Sequence, residues 1–138
     1  MRINQVAKRF KITTHALRYW EKIGALPIIH RNIEGYREYT KLDLECVESV
    51  IMMRKAGVNI GTLIKMNTLL IQGPKTERVR KILLKNQLKQ LNKKLHDIKQ
   101  ARNLLSWKVK HYDELNHSSL YKEVLNQIHY RATNHRKD

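Results

Sequence analysis

Thr14, His15, Arg18, Tyr19 and Lys22 bring together groups that can grip a polyanion: two hydroxyls, an imidazole and two cations. Placed at about 100° per residue, they share one side of a helix. Ala16, Leu17, Trp20 and Ile23 fall in an arc roughly 120° wide on the opposite side, which makes that side a core face. Glu21 lies between the two, so the polar side carries no carboxylate. An arginine fork can hold a phosphate or read guanine, and a helix furnished this way suits the major groove of DNA.

The elements needed to position that helix stand on either side of it. Thr13 is a suitable N-cap, since its hydroxyl can accept from an unpaired amide of the first turn. Gly24 is a suitable stop, since it can take the left-handed conformation. Ahead of it, Asn4 is expected to cap a short helix with Val6, Ala7 and Phe10 on its apolar side. Two short helices joined by three or four residues make a helix-turn-helix. Taken alone, the pair reads equally well as a plain helical hairpin with a solvated basic face.

Pro27 ends the helical region, and IIHRNIEGYREYT follows. Ile28, Ile29, Ile33, Tyr36 and Tyr39 are β-formers around the turn signal Glu34-Gly35, so a short β-hairpin is expected. A hairpin directly after a helix-turn-helix is a wing. Its Arg31, Tyr36, Arg37 and Tyr39 are candidate phosphate contacts, which set position rather than sequence, and Tyr36 reads equally well as packing under the wing.

At this point the string LRYWEKIGALP, then GYREY, then DL opening the next helix and MRKAGVNI closing it, resembles the MerR family of bacterial transcription regulators. The resemblance covers about residues 1–72. It implies that Arg18 and Tyr19, which match the family's LRY motif, touch DNA. Trp20 replaces the family's usual second tyrosine, and Lys11 stands in the turn where glycine is common. A left-handed residue there costs Lys11 on the order of 1 kcal/mol.

Downstream, Thr40 or Lys41 opens a third helix with Leu42, Cys46, Val47, Val50, Ile51 and Met53 as its stripe, ended by Gly57. Asn59 caps a fourth helix carrying Ile60, Leu63, Ile64, Asn67, Leu70 and Ile71. Its first amides can face a phosphate, or it is simply a capped helix. Gln72-Gly73-Pro74 breaks it. Then Leu84, Leu88, Leu91, Leu95, Ile98, Arg102, Leu105, Val109 and Tyr112 recur at alternating steps of four and three. This is a coiled-coil seam interrupted by Arg102. A helix from Lys75 to Tyr112 is about 57 Å long and needs a partner, most simply a second copy. The expected dimer interface is therefore Leu84, Leu88, Leu91, Leu95, Ile98, Leu105, Val109 and Tyr112. The resemblance implies that the pairing is antiparallel. Residues 113–138 hold a short helix bearing Tyr121, Val124, Leu125 and Ile128, capped by Ser118 or Ser119. Arg131 to Asp138 lacks an apolar face and is expected to be unstructured.

The fold class is thus mainly α. A winged helix-turn-helix spans residues 1–73, a coiled-coil dimerisation helix 74–112, and a short helix with a tail 113–138. The formal net charge over the 138 residues is +16, and residues 75–112 hold 12 basic residues against 2 acidic ones. Charge alone places a polyanion on that second run. The motif places the specific contact on the first helices, with the run adding attraction at low salt.

The single cysteine, Cys46, excludes an internal disulfide framework and fits a reducing cytoplasm. No signal peptide or membrane span is expected. No metal and no cofactor is expected, because His111 and His117 suit no standard site. No serine–histidine–aspartate set, phosphate loop or carboxylate pair stands out, so the chain is not read as an enzyme.

The resemblance implies a homodimer on the over-long spacer of double-stranded promoter DNA, which it distorts so that RNA polymerase is affected indirectly. Specificity then rests partly on DNA deformability. The string MRKAGVNI and the later KVKHYDEL resemble the small aldehyde- and thiol-stress-responsive branch. Met52 occupies the position of that branch's cysteine, so Cys46 reads as a packing thiol. The effector is unknown; Trp107, Tyr112 and Tyr121 are candidates to line a small-molecule pocket, and packing alone explains them as well. The alternatives are an architectural DNA-bending protein without effector and a coiled-coil interaction protein with an acidic partner.

Overall fold

The computed structural model describes residues 1–135. Eight helical segments run in order: α1 (Ile3–Phe10), α2 (Thr14–Lys22), α3 (Lys41–Lys55), α4 (Ile60–Ile71), a 3₁₀ turn (Pro74–Thr76), α5 (Glu77–Lys110), α6 (Tyr112–His117) and α7 (Ser119–Asn134). Packing divides the chain into two units, one from Met1 to Leu91 and the other from Asn92 onward, with the division inside α5.

In the first unit, α1 and α2 form the expected helix-turn-helix. Asn4 does not cap α1. The N-cap is Arg2, whose backbone N–H donates to Gln5 Oε1 at 2.9 Å. Chain reversal falls on Lys11, which sits at φ 55°, ψ 43° and closes α1 as a left-handed residue without being glycine. Thr13 then opens α2, its Oγ1 accepting from the Ala16 amide at 3.0 Å. Gly24 at φ +81° turns the chain away after α2.

Val6, Ala7, Leu17, Leu26, Ile29, Tyr39, Val47 and Val50 build one apolar core, with Trp20, Phe10 and Leu63 partly buried against it. The expected apolar side of α2 is therefore the core side. Helix α3 opens with a capping box, in which the Asp43 N–H donates to Thr40 Oγ1 at 3.3 Å and the Thr40 N–H to Asp43 Oδ2 at 2.8 Å. Leu42, expected in the stripe of α3, is exposed, because it lies in the first turn ahead of the buried Val47 and Val50.

Helix α4 has a positioning role. Asn67 Nδ2 donates to the Gly24 carbonyl at 2.9 Å, satisfying a backbone acceptor just beyond α2. The start of α5 is tied down by Thr76, a buried hydroxyl that bonds the Leu69 carbonyl at 2.6 Å and accepts from Arg80 Nε at 3.1 Å. Cys46 is partly buried against the core. Burial pushes its thiol pKa up, with Asp43 and Glu45 adding to the effect, so the reactive thiolate is disfavoured.

In the second unit, the expected helix end at Tyr112 moves to Lys110. His111 leaves helical geometry, and its ring stacks on Trp107 with centroids 4.6 Å apart. Tyr112 thus opens α6 rather than closing α5. Ser118 caps α7 by accepting from the Tyr121 amide at 3.2 Å. Helix α7 runs to Asn134, so Arg131 to Asn134 are helical, against the expectation of an unstructured tail. With no glycine or proline after Pro74, nothing local breaks that helix. Residues 136–138 lie outside the described part.

Candidate nucleic-acid interface

The wing is less regular than the sequence suggests. Among the described residues there is no strand ladder. A single antiparallel bridge joins Arg31 and Arg37, and a second joins Arg2 and Glu38. The segment is shaped mainly by Asn32, whose Oδ1 accepts from the amides of Glu34 at 3.1 Å and Tyr36 at 2.9 Å. That is an Asx turn, completed by Gly35 at φ +84°. Sequence reading missed Asn32, although an asparagine three residues before a glycine was the available signal.

The wing is fastened to α2 through one carboxylate. Glu21 Oε2 accepts from Arg37 Nε, and Glu21 Oε1 accepts from the Ile29 amide at 3.3 Å. Side-chain exposures of 19% for Arg37 and 10% for Glu21 make this a largely desolvated pair. The one acid of α2 is therefore turned inward, and the outer side of the helix stays electropositive.

On that outer side, His15, Arg18, Tyr19 and Lys22 are exposed, and Thr14 is half-buried. Across from them, Arg31 and Tyr36 are exposed, with Arg31 Nη1 donating to the Gly35 carbonyl at 2.9 Å. A cleft of approximately 390 Å³ gathers Arg2, Arg18, Arg31 and Arg37 with Tyr36. Arg2 was not expected there. It enters because Arg2 bridges to Glu38, which brings the beginning of the chain beside the wing.

Tyr39 is not part of this surface. It is 2% exposed, lies in the core, and its hydroxyl is buried without a hydrogen-bond partner. Burial raises its pKa, and the Glu21 charge adds to the rise. The expected phosphate contact at Tyr39 is withdrawn, because a hydroxyl enclosed by the core cannot reach a phosphate.

The seam residues from Leu84 to Val109 lie on α5, and Tyr112 lies on α6. In the first unit, Leu84 and Leu88 are exposed and Leu91 is half-buried. In the second, Leu95, Ile98, Leu105, Val109 and Tyr112 are exposed. This is more apolar surface than one chain needs to leave in water. The second unit also has a pocket of approximately 590 Å³ that contains the expected trio Trp107, Tyr112 and Tyr121, with Lys108 and Asp113 at its wall. Among the described residues, no three potential metal ligands come together. No helix there is long and apolar enough to cross a membrane.

A helix-turn-helix with a basic wing laid against its second helix defines a class of DNA-reading units. Residues 1–69 match the family described as MerR HTH family regulatory protein, and the chain belongs to that family. It is 38% identical over 91 residues to the HTH-type transcriptional regulator AdhR of Bacillus subtilis strain 168, a match covering 66% of this chain. That match spans only 65% of the length of AdhR. A MerR family transcriptional regulator of Listeria monocytogenes has a similar structure, with TM-score 0.78, 28% identity and coverage of 100% of this chain and 99% of the other. HiNmlR, a MerR family regulator lacking the sensor domain and solved bound to promoter DNA, shares the fold at TM-score 0.76 and 24% identity, over 83% of this chain and 91% of its own.

Proposed function

We propose that this protein is a homodimeric transcription regulator that reads double-stranded promoter DNA. Helix α2 enters the major groove, with Thr14, His15, Arg18, Tyr19 and Lys22 against base edges and phosphates. Arg31, Tyr36 and Arg37 of the wing hold flanking phosphates. A second copy pairs along α5 through Leu84, Leu88, Leu91, Leu95, Ile98, Leu105 and Val109, and at the start of α6 through Tyr112. Two reading units related by twofold symmetry then meet a roughly palindromic site on the spacer between promoter elements. Distortion of that spacer acts on RNA polymerase indirectly. The division of labour is a DNA unit over residues 1–73, a dimer helix over 74–112 and a terminal helical segment beyond. The setting is the cytoplasm, and the chain works without enzymatic chemistry.

The observation that carries this reading is the direction of Glu21. By pairing with Arg37 and Ile29 it locks the wing beside α2 and leaves a cleft lined by arginines facing outward. The aromatic pocket of the second unit offers a seat for a small, largely apolar effector, and its proximity to the seam residues Leu105, Val109 and Tyr112 links occupancy to the dimer.

The test is a footprint of the protein on the DNA upstream of its own gene and its neighbours, over a salt series. A protected, roughly palindromic site between the two promoter elements supports the regulator. Uniform, salt-sensitive coating overturns it in favour of an architectural binder. Binding that survives Arg18→Ala with Tyr19→Ala but falls on charge reversal along α5 overturns it in favour of a coiled-coil interaction protein.

A further inference from the structure

We propose that Arg2 is a phosphate-binding residue of the DNA interface, and that Glu34 holds its guanidinium in the DNA-free protein as an internal stand-in for phosphate. The proposal rests on the DNA-binding reading above. Four arginines share the cleft beside the wing, and two of them are matched with carboxylates. The two pairs differ in kind. Arg37 and Glu21 are largely desolvated and hold the wing on α2. Arg2 and Glu34 are 58% and 60% exposed, and Arg2 Nη2 stands 3.4 Å from Glu34 Oε2. That separation is long for a charge-assisted bond, which closes to about 2.7–2.9 Å when well formed.

The rest of Arg2 is placed rather than free. Its backbone caps α1 and bridges to Glu38, and its guanidinium lies 4.9 Å from the centre of the Tyr36 ring. A weak partner on a fixed backbone leaves the side chain able to turn. A phosphate entering the cleft offers the planar fork two oxygens and a full charge, and it displaces the carboxylate. DNA binding therefore includes an exchange of anions on Arg2, and Glu34 lowers affinity by occupying it.

The test measures affinity for the footprinted site, by fluorescence anisotropy over a salt series, for wild type, Glu34→Gln, Arg2→Gln and the double variant. Glu34→Gln is expected to tighten binding by up to about fivefold, the range of an exposed pair. Arg2→Gln is expected to weaken binding and to lower the salt slope by about one. In the Arg2→Gln background the gain from Glu34→Gln is expected to vanish. Arg2→Lys, which keeps the charge and the chain geometry, is expected to bind between wild type and Arg2→Gln. An equal gain from Glu34→Gln in both backgrounds overturns the proposal, because Glu34 then acts only as a negative charge near DNA. So does unchanged affinity in Arg2→Gln. A wild-type protein that gives no footprint overturns the DNA reading as well, so the two failures are told apart.

Discussion

Glu21 of α2 and Arg37 of the wing are joined side chain to side chain, while the same carboxylate accepts the Ile29 amide. One residue thereby sets the spacing between the helix and the wing that accompanies it.

Removing the carboxylate leaves a half-buried guanidinium and an amide without their acceptor. Glu21→Ala is expected to cost about 1–3 kcal/mol of stability and to loosen the wing. Denaturant unfolding of the full chain measures the first effect. Faster amide exchange at Ile29 measures the second, and unchanged exchange there would refute the fastening role.

The Tyr39 hydroxyl has no partner in the core, so Tyr39→Phe is expected to keep or raise stability, by about 1 kcal/mol at most. DNA affinity should not change, in contrast to Tyr19→Phe and Tyr36→Phe at the surface. The raised Tyr39 pKa also has a signed consequence. The folded state holds this proton more tightly than the unfolded state, so the contribution is intact below the ordinary value of 10.0 and is lost as pH rises above it. Alkaline melting curves of wild type should fall more steeply above that pH than those of Tyr39→Phe.

Lys11 occupies a left-handed conformation that an L-side chain adopts at a cost. Lys11→Gly relieves that strain while freeing the unfolded chain. The net expectation is a gain of about 0.5–1 kcal/mol, read as a rise in melting temperature.

Arg18→Ala is expected to weaken specific DNA binding by about 1–3 kcal/mol and to relax preference at the bases it faces. Lys22→Ala should weaken all sequences about equally and reduce the salt slope by about one. Anisotropy titrations on matched and scrambled sites separate the two patterns.

Ile98 is exposed on α5, so a charge there does not disturb the chain's own core. Ile98→Glu is expected to halve the molar mass seen in sedimentation while leaving the near-ultraviolet dichroism of the first unit unchanged. Affinity for a palindromic site should fall with it, since two linked reading units bind far better than one. A variant that stays dimeric would place the interface elsewhere.

Helix α2 was legible in the sequence because period, cap and stop all agree over one short stretch: Thr13, the buried Leu17 and Gly24 act as their types suggest. The long helix α5 was legible from its period and its lack of glycine and proline, though its end was not, because His111 leaves helical geometry where no residue type signals a stop. The wing was not. Tyr36 and Tyr39 are the same residue type three positions apart, yet one lies at the cleft and the other in the core. Tyrosine suits both places, and what decides is the tertiary core that Tyr39 shares with Leu17, Ile29 and Val47. Ile28 and Ile33 are β-formers by type, but both stand exposed, and the turn is shaped by Asn32 instead of a strand ladder. Arg2 was invisible because its place in the cleft depends on a bridge to Glu38, which no local pattern encodes.

If two copies pair as proposed, the apolar stripe left exposed on α5 makes the amount of protein in the cell part of its control. On the dimer reading, a newly made chain is incomplete until it meets another, and mass action decides how many have done so. Operator occupancy then rises more steeply than in simple proportion to synthesis, because each occupied palindrome needs two chains. On that reading, operator occupancy also falls more steeply than in simple proportion once production of the protein stops.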